Sequence, residues 1–192
     1  MDCGCFFITT PSHYFLYLSY MMNPQYNQFK KQITNPLWFR FFTLTQLPSA
    51  FFAGLRIVAL DDAEAVISVR QKWFNKNPFR SVYFAILSMA AEVSTGLAGF
   101  GAIYKRNPGV SMLVTASEGK FYKKATGKIL FTCNDIAAVH AVVQQSVDTG
   151  NPVTIICHSV GTNQKGETVA EFWFTWSFKG RGGGGMPPKA TT

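Results

Sequence analysis

The sequence predicts an α+β domain in which an antiparallel sheet wraps around one long central helix, with a helical extension in front of it. Three observations carry that prediction. From Val82 to Ala98 the apolar residues cover nearly every direction around a 3.6-residue period, so this helix must be buried on most sides. Short runs rich in Ile, Val and aromatic residues flank it, separated by Asn, Gly and Pro turns. One of them, with Phe172, Phe174, Trp176 and Phe178, alternates strictly, as a strand with one core face does. The 192 residues suit one domain with extensions.

In chain order, residues 1–22 are aromatic and apolar but lack a basic start and are broken by Pro11, Ser12 and His13, a poor pattern for a signal peptide or a membrane span. They read as a mobile tail or an over-extended gene start with the initiator at Met21 or Met22. The second is favoured, because Asn23-Pro24 resembles a helix start with Asn as cap. Residues 23–50 form the helical extension. Phe29, Ile33, Leu37, Phe41 and Leu44 fall on one stripe, Asn35-Pro36 divides the helix in two, and Pro48 ends it. Its second piece, with Trp38, Phe39, Phe41 and Phe42, is too short to span a bilayer and is expected to pack on the parent domain.

Residues 51–179 form the main domain. Leu55–Leu60 and Ala65–Arg70 are expected to be strands joined through Asp61-Asp62, and Val110–Thr115, continued with a bend by 119–124, a third. Gly127–Thr132 makes a fourth. Asn134-Asp135 caps a helix with Ile136, Val139, Val142, Val143 and Val147 on its apolar face, leaving His140 as an exposed helix histidine. Val153–Val160 and Thr168–Phe178 close the domain as a hairpin through Asn163–Gly166. Residues 180–192, with a glycine run and two prolines, read as a flexible tail.

The organising stretch is Trp73 to Gly99. Asn75, Asn77 and Pro78 make a turn, the helix starts near Arg80 or Ser81, and Gly99 and Gly101 are placed to end it. Glu92 is the one acid inside this helix. A carboxylate on a buried helix is costly unless it is paired, hydrogen-bonded or used, which makes Glu92 a candidate catalytic or binding acid. Its structural alternative is a place in a wet seam or a pair with Arg80 or Lys72.

The net charge of +8, from 18 Lys and Arg against 10 Asp and Glu, favours an anionic partner. The basic residues form scattered pairs, Lys30-Lys31, Lys105-Arg106 and Lys123-Lys124, rather than a stripe, so nucleic-acid binding is not expected. Cys3, Cys5, Cys133 and Cys157 and three isolated histidines fit neither a zinc site nor a disulfide framework, and free thiols in a reducing cytoplasm are expected. Gly96, Gly99 and Gly101 follow the helix instead of opening it, so no phosphate-cradling glycine loop is present.

The succession of strands, buried helix and antiparallel meander resembles the hotdog fold. At Asn75–Gly99 the likeness is to the acyl-CoA thioesterase-like branch of that superfamily, and in particular to an uncharacterised bacterial thioesterase-like family. Those enzymes carry an Asn-containing turn, a His-Gly-Gly helix start and an Asp or Glu nine residues after the His. Here the Asn matches Asn75 or Asn77, the helix start matches Tyr83-Phe84-Ala85, and the acid matches Glu92. The resemblance implies hydrolysis of an acyl-CoA or similar acyl thioester, without a cofactor or metal. Backbone N–H groups at Tyr83 and Phe84 would polarise the carbonyl, Glu92 would attack or activate water, and Asn77 or Asn75 would position the carbonyl or the water. Ser88, Ser94 or Thr95 would orient the acid. Arg80, Lys105, Arg106, Lys123 or Lys124 would meet the phosphates of the thiol carrier. The resemblance also implies a homodimer or dimer of dimers, with sheets joined edge to edge and the acid of one subunit near the turn of the other. Tyr83-Phe84-Ala85 departs from His-Gly-Gly, and Phe84 adds bulk where glycine allows close approach. The alternative is therefore a non-catalytic hotdog protein that holds an acyl or lipid ligand. Dehydration of a hydroxyacyl thioester uses an Asp-His pair on this fold, and His13, His140 and His158 have no matching placement.

Overall fold

A computed structural model describes residues 22–181. Three short helices, α1 (Tyr26–Ile33), α2 (Pro36–Gln46) and α3 (Pro48–Ala53), lead into the hairpin β1 (Arg56–Leu60) and β2 (Ala65–Arg70). The central helix α4 (Phe84–Ile103) follows, then β3 (Val110–Phe121), β4 (Lys128–Cys133), helix α5 (Ile136–Thr149) and the hairpin β5 (Val153–Thr162) and β6 (Thr168–Gly180). All strand pairs are antiparallel and hydrogen-bond in the order β1-β2-β4-β5-β6-β3, so β1 and β3 are the edges. The α+β architecture expected from the sequence, a sheet around one buried helix, is what the chain adopts.

Helix α4 is buried because it has no polar face to expose. Leu87, Ala90, Ala91, Val93, Leu97 and Ala98 lie in the core with Ile67, Val69, Phe131, Phe174 and Phe178. Its interior polar groups are satisfied: Ser94 Oγ meets Ser159 Oγ at 2.7 Å, and Trp176 Nε1 donates to Thr95 Oγ1 at 3.0 Å. By length and composition α4 could cross a membrane, yet 67% of its most apolar window is buried inside the domain, which marks it as a core helix.

The helix does not stop at Gly99 or Gly101. A methyl group at Gly99 would strike Met112, and one at Gly101 would strike Tyr26, so these glycines serve close packing within the helix. Its end is set by Asn23. The Asn23 side-chain N–H group donates to the carbonyls of Gly101, Ala102 and Tyr104 at 3.0, 3.2 and 2.8 Å, satisfying acceptors that a helix C-terminus leaves free. Asn23 also caps the entry to α1 as expected, its Oδ1 accepting from the Gln25 amide at 3.0 Å and its carbonyl from Tyr26 at 2.9 Å, so one side chain serves both the start of α1 and the last turn of α4.

Other expectations are corrected by packing. Asn35 Oδ1 accepts from the Leu37 and Trp38 amides and Pro36 opens α2, as the sequence suggested. The break there also turns the apolar stripe: Phe29 and Ile33 are buried, whereas Leu37 and Phe41 are 83% and 66% exposed and α2 buries Phe39 and Thr43 instead. Pro48 ends α2 and at once begins α3, which Gly54 closes at φ 74°. His140 is not exposed but fully buried, its Nδ1 accepting the Asn23 N–H at 3.0 Å and its ring edge-on to Tyr26. Burial pushes its pKa down to about 4. Strand β3 runs unbroken through Gly119, with a bulge between Val114 and Ala116. Gly180 still pairs with Val110 and the Arg181 N–H donates to the Gly109 carbonyl, while the rest of the expected tail, and residues 1–21, lie outside the described residues.

Candidate active site

The start of α4 is held by backbone bonds alone. Tyr83 is extended, at φ −64° and ψ 136°, with no side-chain cap. Its N–H donates to the Asn75 carbonyl at 2.7 Å, and its own carbonyl accepts from Ile86 and Leu87 at 3.0 and 3.2 Å. Among the described residues the amides of Phe84 and Ala85 donate to nothing. They are two unpaired donors at the positive end of a 20-residue helix, suited to a developing negative charge.

Glu92 sits two turns further on. Ser88, Glu92 and Gly96 fall one turn apart on one face, and Gly96 lies beside both the carboxylate and the Trp176 ring: a Cβ there would make ordinary contact, 3.5 Å from Glu92 Oε1 and 3.6 Å from Trp176. The acid opens into a cavity of about 550 Å³ between α2, α4, β3 and β6, walled by Phe39, Phe42, Leu97, Met112 and Trp176. Among the described residues it is the only acid lining that cavity. Burial raises its pKa above the usual carboxylate value, and no charged neighbour counters the shift. Neither of the partners considered from sequence, Arg80 or Lys72, pairs with it; no ion pair or side-chain hydrogen bond to Glu92 exists among the described residues.

The remaining sequence candidates divide by what they touch. Asn75 is fully buried and acts as a tie, its Nδ2 donating to the Ala53 and Arg70 carbonyls at 2.8 and 2.9 Å while its Oδ1 has no partner. Asn77 Oδ1 accepts from the Phe79 and Ser81 amides, which shapes the turn. Arg80 is exposed at φ 58°, four residues before the helix. Tyr83 and Phe84 are 44% and 56% exposed, packed edge to face, and Phe84 in turn meets Phe121 at the far end of β3. Thr95 is fully buried, donating to the Glu92 carbonyl and accepting from Trp176. Lys123 is engaged by Glu167 at 2.6 Å. Lys105 and Arg106 follow the opposite end of α4, roughly 30 Å from its start at 1.5 Å per residue. The cavity walls from α2 and β3 were not foreseen. Strand alternation marked Trp176 as inward-facing, but only the fold brings it to Glu92.

Within one chain the two halves of the site stand apart. Seven or eight residues of helix separate Glu92 from the amides of Ala85 and Phe84, about 11 Å along the axis. One carbonyl cannot contact both.

No family model matches the chain, and no curated protein matches it. Solved structures do. A Pseudomonas aeruginosa protein of unknown function, described as a probable thioesterase, is 19% identical over 73% of this chain and 93% of its own, with a TM-score of 0.64. A Chlorobaculum tepidum protein of unknown function is 16% identical over 84% of this chain and 99% of its own, with a TM-score of 0.64. A Haemophilus influenzae thioesterase is 10% identical over 73% of this chain and 88% of its own, with a TM-score of 0.54. At these identities the likeness is one of architecture, and it matches the sheet wrapped on α4 described above: the chain is a hotdog-fold protein, built like structures described as thioesterases.

Proposed function

We propose that the protein hydrolyses an acyl thioester of the acyl-CoA type. The observation that carries the reading is Glu92, an unpaired acid with a raised pKa in an apolar cavity, on the same helix whose first two amides are free. The acyl chain would occupy the cavity under α2, and the thioester oxygen would face the amides of Phe84 and Ala85, where charge develops as the carbonyl is attacked. Glu92 would take a proton from water as the water oxygen adds to the carbonyl carbon, then return it to the departing sulfur. Ser88, one turn before Glu92, would help orient that water, with Asn77 and Tyr83 bordering the thioester and Arg80 outside the helix start. Because the amides and the acid of one chain are about 11 Å apart along α4, we place each site across a two-fold axis, Glu92 from one protomer facing the helix start of its partner. The unpaired side of β3, twelve residues long and largely exposed, offers the edge for that pairing. The setting is the cytoplasm, where the buried thiols Cys133 and Cys157 stay reduced.

The test uses the helix start. Proline is tolerated at the first position of a helix, and Tyr83 already has the extended backbone that a following proline requires. Phe84→Pro therefore removes one amide donor, while Phe84→Ala removes only the ring. Single-turnover hydrolysis of short, medium, long and aromatic acyl-CoA esters should fall about 10²–10³-fold in the Pro variant relative to the Ala variant. Mixing inactive Glu92→Ala and Phe84→Pro proteins should restore activity, since one composite site of the mixed dimer is intact. Equal rates for Pro and Ala would remove the oxyanion role. The second reading, an acyl or lipid carrier without catalysis, is favoured by the bulk of Phe84 at the first helical position, packed between Tyr83 and Phe121; saturable acyl binding with no thiol release by the wild type would select it.

A further inference from the structure

Five cations converge on a second concavity that the chemistry above leaves unused. Arg40 of α2, Arg56 of β1, Arg70 at the end of β2, Lys72 just beyond it and Lys128 of β4 line a cavity of about 410 Å³, completed by Ala53, Gly54 and Ser68, with no acid in its wall among the described residues. The sheet register explains the convergence. Arg56 pairs with Ser68 and Arg70 with Lys128, and Ser68 and Arg70 are two residues apart, so all four share the face opposite the core residues Ile67 and Val69. None of the five makes an ion pair among the described residues. Arg40 lies over the Phe51 ring at 4.0 Å, and Lys72 Nζ donates to the Phe52 carbonyl at 2.7 Å. Burial, with Arg40 and Arg56 adding to it, holds Lys72 below the usual lysine range.

Unpaired like charges gathered in a concave wall repel one another, and a multiply charged anion relieves that repulsion. Guanidinium forks suit phosphate oxygens in particular. The cleft also adjoins the start of α4. Asn75 donates its side-chain N–H to the carbonyls of Ala53 and Arg70, and its own carbonyl receives the Tyr83 N–H, so one buried residue ties the cleft wall to the residue before the free amides. Next to Lys72, Trp73 is 81% exposed, a flat apolar surface of the kind on which a base stacks.

We propose that this cleft takes the phosphate-bearing nucleotide end of a coenzyme A thioester, leaving the acyl end to reach the amides of Phe84 and Ala85. The inference rests on the thioesterase reading and names its carrier. Its residues, at positions 40, 56, 70, 72 and 128, carry no sequence signal as a group, and they are distinct from the basic pairs considered from sequence.

The experiment uses the full chain and its Arg70→Gln/Lys128→Gln double variant, neither of whose cations makes a hydrogen bond among the described residues, with Arg56→Gln as a second variant and thermal unfolding to confirm folding. Calorimetric titration with adenosine 3′,5′-bisphosphate should show saturable, salt-sensitive binding that weakens about tenfold or more in the double variant. The kcat/KM preference for an acyl-CoA over the N-acetylcysteamine thioester of the same acyl group should collapse by a similar factor. Bisphosphate binding that ignores the charge changes, affinity no better than that of inorganic phosphate, or binding only to phosphatidylserine vesicles would each overturn the proposal. Charge-dependent bisphosphate binding by a wild type that hydrolyses no thioester would sink the thioesterase reading and keep the cleft. Glu92-dependent hydrolysis whose CoA preference survives the double variant would do the reverse.

Discussion

Replacing Glu92 by glutamine should stabilise the protein at neutral pH while removing its activity. The carboxylate faces an apolar cavity without a hydrogen-bond or ion-pair partner among the described residues, and burial alone raises its pKa. A buried polar group left unpaired costs roughly 1–3 kcal/mol, more for a charge. Glutamine keeps a polar group there and removes only the charge, so beside an open cavity Glu92→Gln should gain the excess cost of that charge, on the order of 1 kcal/mol, a rise of about 2–4 °C in Tm for a chain of this size. The sign with pH follows from linkage. A raised folded-state pKa means that the unfolded chain ionises first, so the contribution of Glu92 to stability is full below the ordinary value of 4.5 and is lost as pH rises through the folded pKa. The advantage of Glu92→Gln should therefore be larger at pH 7.5 than at pH 5.5 and vanish near pH 4. Urea unfolding at these pH values, with thioester hydrolysis assayed on the same preparations, measures each part. A glutamine variant less stable than wild type at pH 7.5 would mean that the carboxylate makes a stabilising contact, and the argument that function holds it there would fail.

Three further outcomes are expected. His140, pushed down to about 4 by burial, is neutral in the fold, so its contribution is present above its ordinary pKa of 6.5 and lost as pH falls toward 4; His140→Gln should flatten that limb of the urea midpoint against pH, and an unchanged limb would contradict it. Gly101→Ala places the best helix former in α4 yet drives a methyl into Tyr26, so it should destabilise by about 1–3 kcal/mol in chemical denaturation, and a gain in stability would show that α1 yields freely. Asn23→Ala leaves three carbonyls at the end of α4 without their donor and should cost about 1–2 kcal/mol, with hydrogen exchange accelerated in the last turn of that helix rather than throughout the domain.

How much was legible in advance depended on the range over which each signal acts. Local patterning showed the all-round apolar helix, the β1–β2 and β5–β6 hairpins, the break at Asn35-Pro36, the alternation that buries Phe172 to Phe178, and Glu92 as the one acid in an apolar setting. These are consequences of period and of turn chemistry, and both reside in neighbouring residues. The helix end was misplaced, because a glycine that permits close packing and a glycine that ends a helix look alike until Met112 and Tyr26 are in place. His140 looked exposed because its partner, Asn23, lies 117 residues away. The same holds for chemistry. The sequence by itself determined a sheet around a buried helix with a lone acid. Only the tertiary structure decided that the acid opens into an apolar cavity, that the amides of Phe84 and Ala85 are left without acceptors among the described residues, and that five scattered cations line one cleft. Charge and free hydrogen-bonding capacity are properties of surfaces, and a surface exists only once distant strands have chosen their register.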